Sequence, residues 1–218
     1  MFRRLGILVL LAFVTTSCQT GPAPELKLSE EPVTNDGLYL VMHPGPGRMV
    51  VKQDLDQVRQ KIRSSPNLLV TGCQVTPKDK GREAELAGQL RKLNDDFCAI
   101  FKSHIVRAQE LAGAADSPTL MTANAILVET PGPDTIAIEP WLINVEIDKR
   151  SGALLRGSRP TMGVLVSDSV SKEPLMRYYV ARRVSGSLDE LVIRTTREIY
   201  GLYARILHSG ATDVAAPR

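Results

Sequence analysis

Residues Thr135 to Lys149 read TIAIEPWLINVEIDK, and the phase of this stretch decides the fold class. Leu142, Asn144, Glu146 and Asp148 alternate with Ile143, Val145 and Ile147. A period of two sends successive side chains to opposite faces, so the stretch reads as a strand with one buried and one wet face. Three neighbouring segments are strand candidates as well: Ala123 to Glu129, Thr161 to Asp168, and Leu175 to Arg183. The connections are Pro131-Gly132-Pro133-Asp134, the Arg150 to Arg159 stretch with Ser151-Gly152, and Ser169 to Pro174. They are turn-prone and leave no room for crossover helices, so neighbours are expected to pair as antiparallel hairpins. Upstream, Leu38 to His43 is a β-prone run closed by Pro44-Gly45-Pro46-Gly47, and Met49 to Lys52 and Asn67 to Val75 are further short candidates. The expectation is a sheet of about five or six strands.

Two long segments change the period from two to 3.6. Leu86, Leu90, Leu93, Phe97 and Phe101 form one apolar stripe in a helix expected over Glu83 to Leu111 and ending near Gly113, with Thr76-Pro77-Lys78-Asp79 as its capping sequence. Ser187-Leu188-Asp189-Glu190 is a capping box opening a second helix to Leu207, with Leu188, Leu191, Val192, Ile199, Leu202, Tyr203 and Ile206 on one face. Leu55, Val58 and Ile62 offer a shorter helical pattern over Asp54 to Ser64. The expected fold is α+β: a single antiparallel-rich sheet with two long amphipathic helices packed on one face.

Composition fits an ordinary folded chain. Of 218 residues, 43% are hydrophobic and 23% charged, and the mean hydropathy is −0.06, which excludes a disordered chain and a polytopic membrane protein. The net charge of +3 includes Arg3 and Arg4 at the extreme N-terminus. Without them it is about +1, too small to argue for nucleic acid as a partner.

Arg3-Arg4 is a short basic segment, and Leu5 to Val14 (LGILVLLAFV) is an apolar run of export-signal length, too short to span a bilayer. Thr15, Thr16 and Ser17 lead into Cys18, and the sequence resembles the lipobox of bacterial lipoproteins, with Thr where that motif usually has Leu. The resemblance implies a signal peptide over residues 1–17, diacylglycerol on the Cys18 thiol, and acylation of the new amino terminus. The alternative is an ordinary secretory signal beside a cysteine. Gln19 follows, where Asp would be the inner-membrane retention signal, so the expectation is an outer-membrane anchor facing the periplasm. Residues 18–36 carry three prolines and four acids with no sustained apolar period and read as a tether. The folded domain is then expected over residues 37–210, followed by a fraying tail over 211–218.

The lipobox, the long helix before Pro131-Gly132-Pro133-Asp134-Thr135, and Val164-Leu165-Val166-Ser167-Asp168-Ser169 leading to Leu175 together resemble a family of bacterial lipoproteins without an assigned activity, the domain-of-unknown-function 3313 group. The likeness runs from Val50 to Leu207, with Lys172-Glu173-Pro174 replacing the family's usual glycine-containing turn. It implies a periplasmic α/β domain and no mechanism.

Motifs that carry chemistry are absent from the sequence. His43, His104 and His208 form no metal-ligand spacing, so no metal and no cofactor is expected. No nucleophile elbow and no Walker-type phosphate loop occurs. Asp168 reads as a strand-end residue bonding into its turn. Glu139, Glu146 and Asp148 place acids on one strand; alternation accounts for them as its wet face, and a glycosidase pair is the competing reading. Trp141, the sole tryptophan, stands beside Glu139, and with Glu146 these residues mark the one candidate ligand face. Arginines from Arg177 to Arg205 give the C-terminal quarter a basic bias, with lipid head groups, lipopolysaccharide or peptidoglycan acids as counterions in the envelope.

With Cys18 acylated, Cys73 and Cys98 are the only thiols left, and an even pair in an oxidising compartment is expected to be bonded. The functional expectation is a non-enzymatic interaction or structural module of the envelope, held by its lipid and meeting a protein or peptidoglycan partner. An envelope hydrolase with an unrecognised site, or a small-ligand or cell-wall-binding module, are the alternatives.

Overall fold

The computed structural model describes residues 27–42, 46–114 and 126–208, with side chains of 107–114 and 200–208 excluded. The signal over 1–17, Cys18, His43 and the 211–218 tail lie outside the described residues, as do the first three residues of the Ala123 to Glu129 candidate.

Nine strands form one sheet: β1 (Lys27–Pro32), β2 (Tyr39–Met42), β3 (Arg48–Val51), β4 (Asn67–Val70), β5 (Gln74–Pro77), β6 (Ile126–Leu127), β7 (Thr135–Val145), β8 (Thr161–Asp168) and β9 (Pro174–Ala181). Three helices accompany them: α1 (Leu55–Arg63), α2 (Ala87–Ala114) and α3 (Leu188–His208). The fold is mixed α+β. The strand order is β1-β2-β3-β9-β8-β7-β4-β6, with β5 lying on β7 beyond the end of β4.

The hairpin expectation holds for β7, β8 and β9, which pair antiparallel in sequence order. It fails upstream. β4 and β5 both run parallel to β7, and β6 runs parallel to β4, so the sheet is mixed and larger than expected. The reason is that α2 is itself the crossover between β5 and the strands after it, and a helical crossover returns the chain in the same direction.

Asn67 to Val75 is not one strand. Thr71, Gly72 and Cys73 interrupt the ladder between β4 and β5, and Cys73 is bonded to Cys98 on α2 across a Cα–Cα separation of 5.6 Å. Thr76 and Pro77 belong to β5 rather than to a helix cap, while Asp79 caps a 3₁₀ turn at Lys80–Arg82 by accepting from the Gly81 N–H. Gly81 sits inside that turn, and regular helix begins only at Ala87. The tether reading of residues 18–36 also needs correction, because Lys27–Pro32 pairs with β2 as an edge strand despite its prolines and acids. Its far end carries Pro32, where no further ladder bond is needed.

All three helices pack on one face of the sheet. Val58 and Ile62 of α1, Leu90, Leu93, Phe97, Phe101 and Ile105 of α2, and Leu191, Val192 and Ile199 of α3 share a core with Ile136, Ile138, Leu142, Met162, Val164, Val166, Met176 and Tyr178. α3 opens as its capping box requires, the Glu190 N–H donating to Ser187 Oγ at 3.2 Å. Among the described residues no helix lies on the other face, which positions the candidate site.

Candidate functional site

The candidate ligand face is built where β7, β8 and β9 run side by side. Trp141 pairs with Gly163 and Gly163 with Tyr179, while Gln74 and Arg48 extend the row on either side. The next row holds Glu139, Leu165, Arg177, Val50 and Leu40. Gly163 is what lets the indole lie down. A Cβ at that position would stand 2.2 Å from the Trp141 ring and 2.5 Å from the Tyr178 carbonyl oxygen. The Trp141 and Tyr179 rings are tilted at 35° with centroids 6.3 Å apart, and both are half-buried. The result is a flat aromatic platform with Gln74 donating to Glu139 at 2.7 Å beside it.

Glu146 is not part of this platform. Asn144, at φ 58°, forms a bulge in which Ile143 and Asn144 together oppose Thr76 of β5. The left-handed residue reverses the phase of the strand. Before it, Ile136, Ile138 and Leu142 point to the core; after it, Val145 and Ile147 do. The grouping of Leu142 with the wet acids is therefore wrong, since Leu142 is fully buried. Glu139 and Glu146 are seven steps apart along the strand, about 20 Å, well beyond the separation a glycosidase pair requires. Glu146 instead meets Lys78 at 2.8 Å.

The remaining polar residues have structural partners. Asp168 accepts from the Val170 and Ser171 N–H groups and pairs with Lys61 of α1 at 2.5 Å, as a strand-end turn residue does. The Lys61 hydrogen bond, then the turn amides, hold its carboxyl far below the usual carboxylate range. His104 of α2 stands 3.0 Å from Asp189 at the start of α3. Tyr178 donates to Glu198, which also binds Arg182, and burial followed by this carboxylate pushes the phenol up. No cluster of three His, Cys, Asp or Glu suited to a metal occurs among the described residues.

Two shallow clefts, about 200 and 220 Å³, flank the first turn of α3; the first is lined by Arg182, Arg183 and Arg194 and the second by Lys92, Asp96 and Leu188. Ser187 and Glu190 line the first, where Ser187 caps α3 and Glu190 is held by Arg194. Sequence reasoning identified Trp141 and Glu139 but missed Tyr179, Gly163 and Gln74. An interior strand glycine is the local signal from which a close approach at position 163 could have been read.

No family model, no curated protein and no solved structure matches the chain. Among the described residues, no helix is long and apolar enough to cross a membrane.

Proposed function

We propose that this chain is a bacterial envelope lipoprotein of the kind its sequence resembles, a non-enzymatic interaction module acylated on Cys18, held in the outer membrane and facing the periplasm. The observation that carries the reading is the basic pair, apolar run and Thr15-Thr16-Ser17-Cys18 junction at its N-terminus. The Cys73–Cys98 bond supports an oxidising compartment. Trp141 and Tyr179 on an otherwise uncovered face support partner docking over catalysis, because flat aromatic area without a nucleophile–base pair serves recognition.

Two measurements test it. Intact mass of the membrane-derived protein is expected to show a mature chain beginning at acylated Cys18; a soluble, unmodified chain with an earlier start overturns the anchor. A photocrosslinking residue at position 141 is expected to capture a discrete envelope partner in cells while one at Arg91, exposed on α2, captures none; equal labelling from both removes the docking face.

A further inference from the structure

The strand registers place the starts of β1, β3 and β8 and the ends of β2, β5, β7 and β9 at one end of the sheet. The segment after Leu155 runs back along the β9 exit there, with the Gly157 N–H donating to Val184 O and the Val184 N–H to Ser158 O, both at 2.9 Å. This brings Arg156, Arg159 and Arg183 together on neighbouring chain segments. Arg48 opens β3, Lys27 opens β1 and Lys80 follows β5 at the same end. All six are exposed, and none forms an ion pair among the described residues.

The acids at this end are already engaged. Lys78 holds Glu146, Arg82 and Lys149 hold Glu85, and Arg182 binds Glu198. Asp148 is wrapped by the Arg150 and Ser151 amides and Asp79 caps the 3₁₀ turn, which leaves Glu83, and Asp96 in the cleft beside Ser187, as exposed acids without such a partner. The opposite end is the reverse. There Lys52 and Lys61 are spent on Glu173 and Asp168, and Arg177 on Asp36, while Glu30, Glu31, Glu129 and Asp134 are exposed and unpaired among the described residues and outnumber Lys172, the exposed lysine of the β8–β9 turn. Exposed apolar side chains occur at both ends, Met42 and Leu155 at one and Val33, Ile126 and Val170 at the other, so charge alone distinguishes them.

We propose that the Lys27–Arg48–Arg159–Arg183 end of the sheet docks on the anionic phospholipid surface that carries the protein's own acyl anchor. The proposal rests on the Cys18 reading above. Eight residues lie between Cys18 and Lys27, so even fully extended the nine steps hold this end within about 30 Å of the bilayer. A lipid surface fits better than a compact partner, because the cations are spread across several strand ends instead of converging on one pocket. Each Lys or Arg close to an anionic membrane raises partitioning about fivefold, and the effect fades within a Debye length. Docked this way, the strands stand upright and the acidic end points into the periplasm.

The test uses the acylated full-length protein reconstituted in vesicles containing a lipid with a headgroup-attached quencher. A fluorescent amino acid is placed at Ser185, at the basic end, or at Ser171, at the acidic end, both exposed. In phosphatidylglycerol–phosphatidylcholine vesicles the Ser185 probe is expected to be quenched several-fold more than the Ser171 probe. The contrast should collapse in phosphatidylcholine alone, in high salt, and in the Arg48→Glu, Arg159→Glu, Arg183→Glu variant, whose far-ultraviolet circular dichroism reports that it still folds. Equal quenching at both sites, or a contrast indifferent to lipid charge, overturns the proposal. So does crosslinking of these arginines to a protein or to peptidoglycan without any contrast on vesicles, which assigns the end to that partner. If the mass shows no acyl groups, the anchor reading falls by itself. Flotation of that same unacylated protein on phosphatidylglycerol vesicles then decides the surface: arginine-dependent flotation keeps it and no flotation ends it.

Discussion

The two faces of one sheet are made from alternate residues of the same strands, yet they have opposite characters. Ile138, Val166, Met176 and Val51 form a row beneath the helices; one residue along, Glu139, Leu165, Arg177 and Val50 form a row on the bare side. The covered face is apolar throughout and closed by α1, α2 and α3. The bare face mixes an aromatic platform with Glu139, Arg177, Arg48 and Gln74, half-buried or exposed, around the buried Val50. Stability therefore resides on one face, and the proposed recognition would use the other, because burial stabilises in proportion to apolar area removed from solvent, while an exposed aromatic can still gain that area from a partner.

Substitutions on the two faces should separate these roles. Phe97 is fully buried on α2 and packs its ring 6.3 Å from that of Phe101, so Phe97→Ala is expected to cost about 3–5 kcal/mol in urea unfolding. A loss below 1 kcal/mol, about what an exposed position gives, would break the contrast between faces. Opening the bond between helix layer and sheet comes next. Cys73→Ser with Cys98→Ser releases a loop of 25 residues and is expected to cost about 3 kcal/mol, whereas dithiothreitol should leave the double variant's unfolding midpoint unchanged.

On the bare face, Gly163→Ala forces the Trp141 ring and the Tyr178 carbonyl apart and is expected to cost about 1–3 kcal/mol, together with a shift in the Trp141 emission maximum. The same substitution without any spectral change would mean the indole does not lie over Gly163.

Asp168 ties β8 to α1, and its effect is pH-dependent. Its folded carboxyl titrates below the unfolded value, so its stabilisation is complete above about pH 4 and is lost as the pH falls towards the folded value. Asp168→Asn is expected to cost about 1–2 kcal/mol at neutral pH, and the gap to the unsubstituted protein should narrow on acidification. A gap that is constant or grows in acid contradicts the Lys61 pairing. The smallest stability effect belongs to Trp141→Ala, about 1 kcal/mol or less because the ring keeps one side in water, with loss of the crosslinked partner as its main consequence. A severe loss of stability would move Trp141 from recognition to core.

Legibility followed the range of the interactions involved. Leu90, Leu93, Phe97 and Phe101 announce α2 because their spacing is a property of neighbours on one helix, and Ser187 and Asp168 announce their cap and turn because both bond within three residues. The first boundary of α2 was misplaced where Pro77 fits a helix start as well as a strand end, a choice made by β7 alongside it. Glu139 and Glu146 do share the wet face, but only because the bulge at Asn144 reverses the strand's phase between them; strict alternation puts positions 139 and 146 on opposite faces, and the left-handed backbone of Asn144, tolerated by its short polar side chain, is announced by nothing around it.

By itself, then, the sequence determined the α+β class, the helices and their buried stripes, the β7-β8-β9 meander and the pair of cysteines able to bond. Only the tertiary structure decided that α2 makes β4 and β5 parallel to β7, that Lys27–Pro32 extends the sheet, that Gly163 seats Trp141 beside Tyr179, and that Lys27, Arg48, Arg159 and Arg183 gather at one end of the strands. The first group depends on contacts between residues a few positions apart. The second depends on which distant segments become neighbours, and strand pairing and charge compensation take their values only after that choice is made.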